Sequence, residues 1–164
     1  MDVRHYFDAV DFSQYSEKST WNWKYLVGAA IEKKTVTLTP NNFQKLDAVI
    51  IGVPFDSRIE KGNFSEAPDK IRAELYVLSK FNKQLNVADF GNLKAAKSVK
   101  GTYQALCDII EFFNELEIAT IVIGGSQDLS FGLCNAFRNN DLFSFTTVDA
   151  FLDIDDLLGC WFSN

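Results

Sequence analysis

The sequence predicts a three-layer α/β/α fold built on a mostly parallel sheet. Short apolar runs rich in β-branched residues alternate along the chain with segments in which apolar residues recur at helical spacing. This alternation is typical of parallel strands joined by right-handed helical crossovers. Because the chain has 164 residues, of which 47% are hydrophobic, it can bury one core, and we expect a single domain over residues 1–164.

Four runs are predicted to be strands, because each is short, apolar and closed by turn residues. They cover residues 48–54, 85–90, 119–124 and 143–149. The first 45 residues are less regular, and we expect them to form an irregular segment packed on the domain. In that segment residues 8–20 are predicted to be loop, residues 21–33 helical and residues 35–39 a short edge strand.

Three segments between the strands are predicted to be helices. Residues 68–81 repeat apolar side chains at helical spacing behind a proline in the first turn, which predicts a helix with one buried face. Residues 102–116 carry one apolar stripe that should lie on the sheet, and residues 129–137 form a shorter helix. The first stripe consists of Ile71, Leu75, Leu78 and Phe81, and the second of Leu106, Ile109, Ile110, Phe113 and Leu116.

Composition excludes several classes of partner and location. The net charge of −6 comes from interspersed acidic and basic residues, so no basic face is available for nucleic acid or an anionic membrane. No apolar run approaches the roughly 20 residues that span a bilayer, and the N-terminus does not resemble a signal peptide, so we expect a cytoplasmic protein. Cys107, Cys134 and Cys160 lack metal-ligand spacing and are expected to be reduced thiols, the first two in helical cores.

Two predicted strand ends carry small or polar residues. Residues 121–127 read Ile-Val-Ile-Gly-Gly-Ser-Gln, and residues 146–153 read Thr-Thr-Val-Asp-Ala-Phe-Leu-Asp. Open α/β sheets bind ligands at the carboxyl ends of their strands. We therefore expect Ser126, Gln127 and Asp149 to converge at this edge, where a small-molecule ligand would bind.

Several motifs in register resemble the ureohydrolase family, which comprises arginases, agmatinases and formimidoylglutamases. Its opening signature is similar to Ile-Gly-Val-Pro-Phe-Asp at 51–56, Gly-Asn-Phe-Ser-Glu-Ala-Pro at 62–68 and the following Ile71 and Arg72. The Gly-Gly pair at 124–125 and Asp-Ala-x-x-Asp at 149–153 follow in the family's order and spacing, so the resemblance covers about residues 47–155. It implies an arginase-like fold and a pair of manganese ions whose bridging hydroxide attacks a guanidinium or formimino carbon.

The resemblance implies a metal site that this chain carries only in part. Asp149 and Asp153 match family metal ligands, but Gln127 and Phe151 stand where the family has histidines. Manganese binds weakly among divalent ions and needs several strongly donating ligands, whereas Gln127 offers a carbonyl oxygen and Phe151 offers nothing. We therefore expect no bound manganese and no catalytic residue, with Asp149 and Asp153 as a weak, vestigial pair. Solvated acids, or a weak magnesium or calcium site, are the alternatives for these two residues.

The family's sheet order, 2-1-3-8-7-4-5-6, would place two later strands beside the strand that ends at Gly124. Those strands and an Asp-x-Asp ligand pair fall beyond Asn164, so we expect this chain to carry about half of the family domain. Three alternatives follow for the strand edge that this leaves open. The fourth strand moves in beside the third, another subunit covers the edge, or the chain derives from a longer, interrupted reading frame. Since an open apolar edge promotes association, we expect self-association, with residues 157–162 helping to cover exposed surface.

Two further residues have predicted roles. Arg72 matches a family position, and we expect it to pair with an acid and hold its helix on the sheet. His5 is the single histidine and lies far along the sequence from the strand ends, so it is expected to be a surface or packing residue. One distant imidazole leaves no Ser-His-Asp or Cys-His pair.

Three hypotheses on function follow. The leading one is a formimidoylglutamase- or arginase-like member that is catalytically inactive as this chain. The second is a non-catalytic binding or scaffolding module that uses the carboxyl edge of the sheet. The third, an active hydrolase whose missing ligands come from elsewhere, is disfavoured by Phe151.

Overall fold

A mixed sheet with helices on both faces organises the chain. The computed structural model describes residues 3–17, 22–31, 43, 45–56, 63–80, 85–139, 144 and 146. Within them four strands form one sheet: β1 (Phe7–Asp8), β2 (Ala48–Gly52), β3 (Val87–Leu93) and β4 (Ala119–Ile123). Their order is β1-β3-β2-β4, with β2 parallel to both β3 and β4 and β1 antiparallel to β3. The predicted α/β fold and the central position of the first predicted strand are confirmed.

The central strands β2 and β3 are buried on both faces. Along β2 the side chains alternate between two apolar clusters, with Val49 and Ile51 in the larger one and Ile50 in the smaller one. An almost continuous β-branched run is what a strand covered on both faces requires. Of the fourth predicted strand, Ser144 and Thr146 are described, and both are exposed and outside any strand; the rest of it lies outside the described residues, as do residues 35–39.

Helices α1 (Ser13–Glu17) and α2 (Val27–Ala30) precede β2, and α3 (Ala67–Leu75), α4 (Val99–Glu115) and α5 (Leu129–Asn135) follow it. The prediction that residues 8–20 are loop is wrong, because they include α1 and part of β1. A cap signal explains α1, since the Asp11 carboxylate accepts hydrogen bonds from the Ser13 N–H (3.0 Å) and Oγ (2.7 Å). The segment predicted to be helical at 21–33 forms a 3-10 turn, Trp23–Tyr25, followed by α2.

The buried face of α3 differs from the predicted one. Ile71 is 41% exposed and Leu78, beyond the helix end, is 56% exposed, so the prediction is wrong for these two residues of the stripe. Leu75 is half-buried against the smaller cluster, and Phe81 lies outside the described residues. Pro68, Arg72 and Tyr76 are buried instead, at the same four-residue spacing. Hydrophobic periodicity misassigned the face because it counts arginine as an outward residue, whereas this arginine has a buried partner.

Helix α4 follows its predicted pattern. Leu106, Ile109, Ile110 and Phe113 are all buried against the sheet, while Leu116, just past the helix end, is 38% exposed. The Ser98 hydroxyl caps the helix by accepting a hydrogen bond from the Gly101 N–H at 3.1 Å. Cys107 is buried in α4 and Cys134 is half-buried in α5, as predicted for core thiols, and Cys160 lies outside the described residues. None of the described helices is long and apolar enough to cross a bilayer.

A fully buried ion pair joins α3 to β3. The Arg72 guanidinium donates to both carboxylate oxygens of Asp89, from Nε at 2.9 Å and from Nη2 at 3.0 Å, and both side chains have zero exposure. Further hydrogen bonds run from Arg72 to the Asn92 Oδ1 (2.6 Å) and the Gly91 carbonyl (2.9 Å), and from the Tyr76 hydroxyl to Asp89. The prediction that Arg72 pairs with an acid and holds its helix on the sheet is confirmed.

The ion pair also explains a glycine at the end of β2. A Cβ atom on Gly52 would overlap the Asn92 carboxamide and lie 2.9 Å from both terminal nitrogens of Arg72. The strand can therefore pass over the guanidinium only where it carries no side chain.

We predict that Arg72→Ala lowers the free energy of unfolding by about 3–5 kcal/mol, because it leaves the Asp89 carboxylate buried without its counter-charge. Urea denaturation followed by circular dichroism measures the change. Lys70→Ala is the matched control, since Lys70 pairs with Glu66 at 2.8 Å on the surface of the same helix, and less than about 1 kcal/mol is expected from it. Equal losses in the two variants would contradict a dominant role for the buried pair.

Candidate functional site at the carboxyl ends of the strands

The loops that follow β2 and β4 are held together by backbone hydrogen bonds. The Val53 N–H donates to the Ile123 carbonyl at 2.9 Å, and the Ser126 N–H donates to the Phe55 carbonyl at 3.0 Å. These bonds extend the parallel pairing beyond the strands. They fix the position of the residues that follow Gly125, where the candidate site lies.

Two glycines turn the chain at the end of β4. Gly124 has φ 108° and Gly125 has φ 61°, a region of backbone conformation that favours glycine. A Cβ atom on Gly124 would overlap the ring of Pro68, and one on Gly125 would overlap the Leu129 side chain. The Gly-Gly pair is therefore required by this reversal and by close packing against α3 and α5.

The residues after the glycines occupy different environments. Ser126 lies directly after β4 at the carboxyl edge, but it is only 2% exposed, and its N–H is occupied by the hydrogen bond to the Phe55 carbonyl. Gln127 is exposed, and its backbone carbonyl accepts from the Ser130 N–H at 3.0 Å and from the Ser130 hydroxyl at 2.8 Å. Asp149 lies outside the described residues, so the convergence of Ser126, Gln127 and Asp149 stays a prediction.

A tyrosine on α4 engages the next residue. The Tyr103 hydroxyl donates a hydrogen bond to one carboxylate oxygen of Asp128, while the other oxygen, Oδ1, is buried and has no hydrogen-bond partner among the described residues. Burial, followed by the hydrogen bond and charge of Asp128, raises the pKa of Tyr103 well above its usual range. Sequence reasoning missed this contact because the two residues are far apart along the chain and no local spacing links them.

The described part of the site does not fit a manganese ion. Gln127 contributes a neutral amide, and the acid beside it, Asp128, is turned towards Tyr103. No group of three or more His, Cys, Asp or Glu side chains comes close enough to hold a metal anywhere in the described ranges. Asp149, Phe151 and Asp153 lie outside them. His5 is exposed in a 3-10 turn, Val3–Tyr6, that leads into β1 at the opposite edge of the sheet from β4.

A cleft of about 210 Å³ opens at the carboxyl ends of β2 and β3. Residues 53–56, residues 93–99 and Thr102 line it, so its walls come from the two loops and from the first turn of α4. The rim carries Lys94, Lys97 and Asp56, all exposed. The hydrogen bonds that Asp56 accepts from Ser65 lower its pKa, so this carboxylate stays ionised near neutrality.

Comparison with known proteins identifies relatives of one kind. The model of the arginase family matches residues 46–159. A formimidoylglutamase of Citrobacter koseri is 26% identical over 130 residues, which is 74% of this chain and 41% of the relative. The chain thus spans less than half the length of this curated relative.

Solved structures with a similar fold come from Trypanosoma cruzi. An arginase superfamily protein matches with a TM-score of 0.53 and 23% identity, over 58% of this chain and 36% of its own. A formiminoglutamase with two Mn²⁺ ions matches with a TM-score of 0.53 and 22% identity, over 60% of this chain and 38% of its own. At this level of identity the likeness shows a common fold, and it bears out the arginase-like α/β architecture predicted from the sequence.

We predict that Tyr103→Phe lowers the free energy of unfolding by about 1–3 kcal/mol, because the Asp128 carboxylate loses its described donor. Chemical denaturation measures the change. Tyr25→Phe is the control, since Tyr25 is 58% exposed, and we expect a change within about 0.5 kcal/mol. If Tyr103→Phe were as mild as the control, the contact would not hold the loop.

Proposed function

Because this chain belongs to the arginase family, we propose that it is a formimidoylglutamase-like member that does not by itself hydrolyse a substrate. Family membership supports a ureohydrolase-type function. The reaction of that class is metal-dependent hydrolysis of a C–N bond in a linear amidine or guanidine. The formimidoylglutamase branch is supported by the relative from Citrobacter koseri.

The observation that carries the proposal is the exposed amide of Gln127 at the end of β4. By resemblance to the family, this position would carry a metal-binding histidine on a loop held by the two glycines and the backbone hydrogen bonds. The glycines and the bonds are present, but the donor is a neutral amide. A weakly binding ion such as Mn²⁺ is not retained by one amide, and without a metal no bound water is acidified to act as a nucleophile.

The sequence adds a second reason. Phe151 stands at the other histidine position and brings an apolar ring where a donor is needed. Asp149 and Asp153 supply two carboxylates, which suit a weak and exchangeable cation better than a fixed pair of manganese ions. Manganese is the metal that the family resemblance implies. We propose that this chain does not retain it.

Metal analysis and an activity assay test the proposal together. Purified protein is dialysed against Mn²⁺, passed through a desalting column and analysed by plasma mass spectrometry, and hydrolysis of formiminoglutamate, arginine and agmatine is measured. We expect much less than one manganese per chain and no turnover above buffer. Stoichiometric manganese together with hydrolysis would overturn the proposal.

Restoring the histidines gives a matched comparison. The double variant Gln127→His/Phe151→His should bind Mn²⁺ more tightly than the parent in calorimetric titration, since it adds two imidazole donors to two carboxylates. Gln14→His is the control, because it adds one imidazole to α1 and none to positions 127 and 151. Equal titrations of all three proteins would indicate that these positions do not face a common site.

A second candidate function is the binding of a small molecule without turnover, and the cleft beside β2 and β3 favours it. Its volume of about 210 Å³ suits a ligand of amino-acid size. Two lysines outnumber Asp56 on its rim, and this net positive charge favours an anionic group. The cleft lies beside β2 and β3 rather than at the end of β4, so ligand binding there does not require the metal site.

We predict that formiminoglutamate, which carries carboxylates, raises the melting temperature of the protein, whereas agmatine, which carries none, does not. Differential scanning fluorimetry measures the shift. Lys97→Glu should abolish it because the rim charge is reversed, and Lys70→Glu, on the exposed face of α3, should not. A shift that survives Lys97→Glu would place the ligand elsewhere.

A further inference from the structure

Strand β4 presents an open edge in the described part of the chain. It lies at the end of the order β1-β3-β2-β4, with β2 on its inner side. The Ala119 N–H donates to the Asp47 carbonyl at 3.1 Å, and the Ile123 carbonyl accepts from the Val53 N–H at 2.9 Å. These bonds show which backbone groups of β4 face inward.

The outward backbone groups follow from this pattern. Alternate residues of a strand turn their N–H and C=O to opposite sides, so the residues between the inward ones face out. Thr120 and Val122 therefore direct both backbone groups away from β2. No other described strand pairs with these groups, so each residue offers one donor and one acceptor to a strand that arrives from outside.

The side chains of β4 do not protect this edge. The strand reads Ala-Thr-Ile-Val-Ile, with no proline and no charge, although charged residues and prolines are what usually keep edge strands from pairing. Ile121 is 46% exposed at its centre. Ser144 and Thr146, from the next predicted strand, are exposed and unpaired with β4, so at these residues that segment does not cover the edge.

The flanking charges select one orientation of an incoming copy of the same strand. Glu115 and Glu117 precede β4 and are exposed, whereas the uncharged Gly124 and Gly125 follow it. A parallel copy would set Glu117 beside its own equivalent, which is repulsive. In an antiparallel copy centred on Ile121, Glu117 faces Gly125 and the repulsion is absent.

We propose that β4 pairs antiparallel with β4 of a second copy of this chain, about a twofold axis at Ile121. Thr120 of each copy exchanges hydrogen bonds with Val122 of the other through the outward backbone groups. The two Ile121 side chains meet in a non-hydrogen-bonded pair, whose Cα atoms lie about 4.5 Å apart in such ladders. The contact is isologous and closes as a dimer, and the two sheets join into one.

Light scattering of the full chain tests the proposal. At micromolar concentration the mass should be twice that of the 18.5 kDa chain. Ile121→Lys and Ile121→Glu should each lose the dimer, since each sets like charges face to face, and mixing the two variants should restore it through opposite charges. Leu78→Lys is the control, because Leu78 is 56% exposed but lies away from β4, and its dimer should persist.

A cross-linking variant keeps the test decisive if the charged variants fail to fold. Ile121→Cys should form an intermolecular disulfide on mild oxidation, because the paired Cα atoms lie within disulfide range. Thr120→Cys should not, since its partner position is Val122, and the parent chain gives the background from the native cysteines. A monomeric parent, a dimer that Ile121→Lys leaves intact, or equal cross-linking of both cysteine variants would each overturn the proposal.

Discussion

The buried pair of Arg72 and Asp89 is the constraint on which the rest of the structure depends. It holds α3 against β3, and through that helix it sets the position of Pro68. The Pro68 ring lies against Gly124, where β4 ends and the chain reverses. The loop that carries Gln127 is thus positioned through a fully buried ion pair between α3 and β3.

The Arg72–Asp89 pair is tolerated in the core because each charge faces its opposite and both side chains have further hydrogen-bond partners. Burial alone would lower the pKa of Arg72, but the hydrogen bonds and charge of Asp89 raise it instead, so the guanidinium remains charged. Burial and the Asp89 charge raise the pKa of Tyr76, which keeps its hydroxyl protonated as a donor. A buried ion pair adds little net stability over apolar packing, but breaking it is costly, so its effect is to enforce one arrangement of α3 on the sheet.

The sequence predicted the parts of this fold that depend on local pattern. The positions of β2, β3 and β4, their parallel pairing and the buried stripe of α4 followed from apolar runs and helical spacing. The face of α3 did not, because Arg72 is buried by a partner on another element and periodicity has no information on partners. The contact between Tyr103 and Asp128 was not predicted for the same reason. The position of Ser126 after a strand predicted its place at the carboxyl edge, but not its burial, which depends on the Phe55 carbonyl of a neighbouring loop.

The shape of the loop after β4 is independent of the metal-ligand position at residue 127. The reversal at Gly124 and Gly125 is maintained by Pro68, Leu129 and backbone hydrogen bonds, none of which involves a metal. These contacts do not use the side chain of residue 127, so they do not require a histidine there. The architecture of this strand end does not depend on a metal ligand, so the presence of the fold does not argue for activity. Activity depends on the donor atoms that the loop presents.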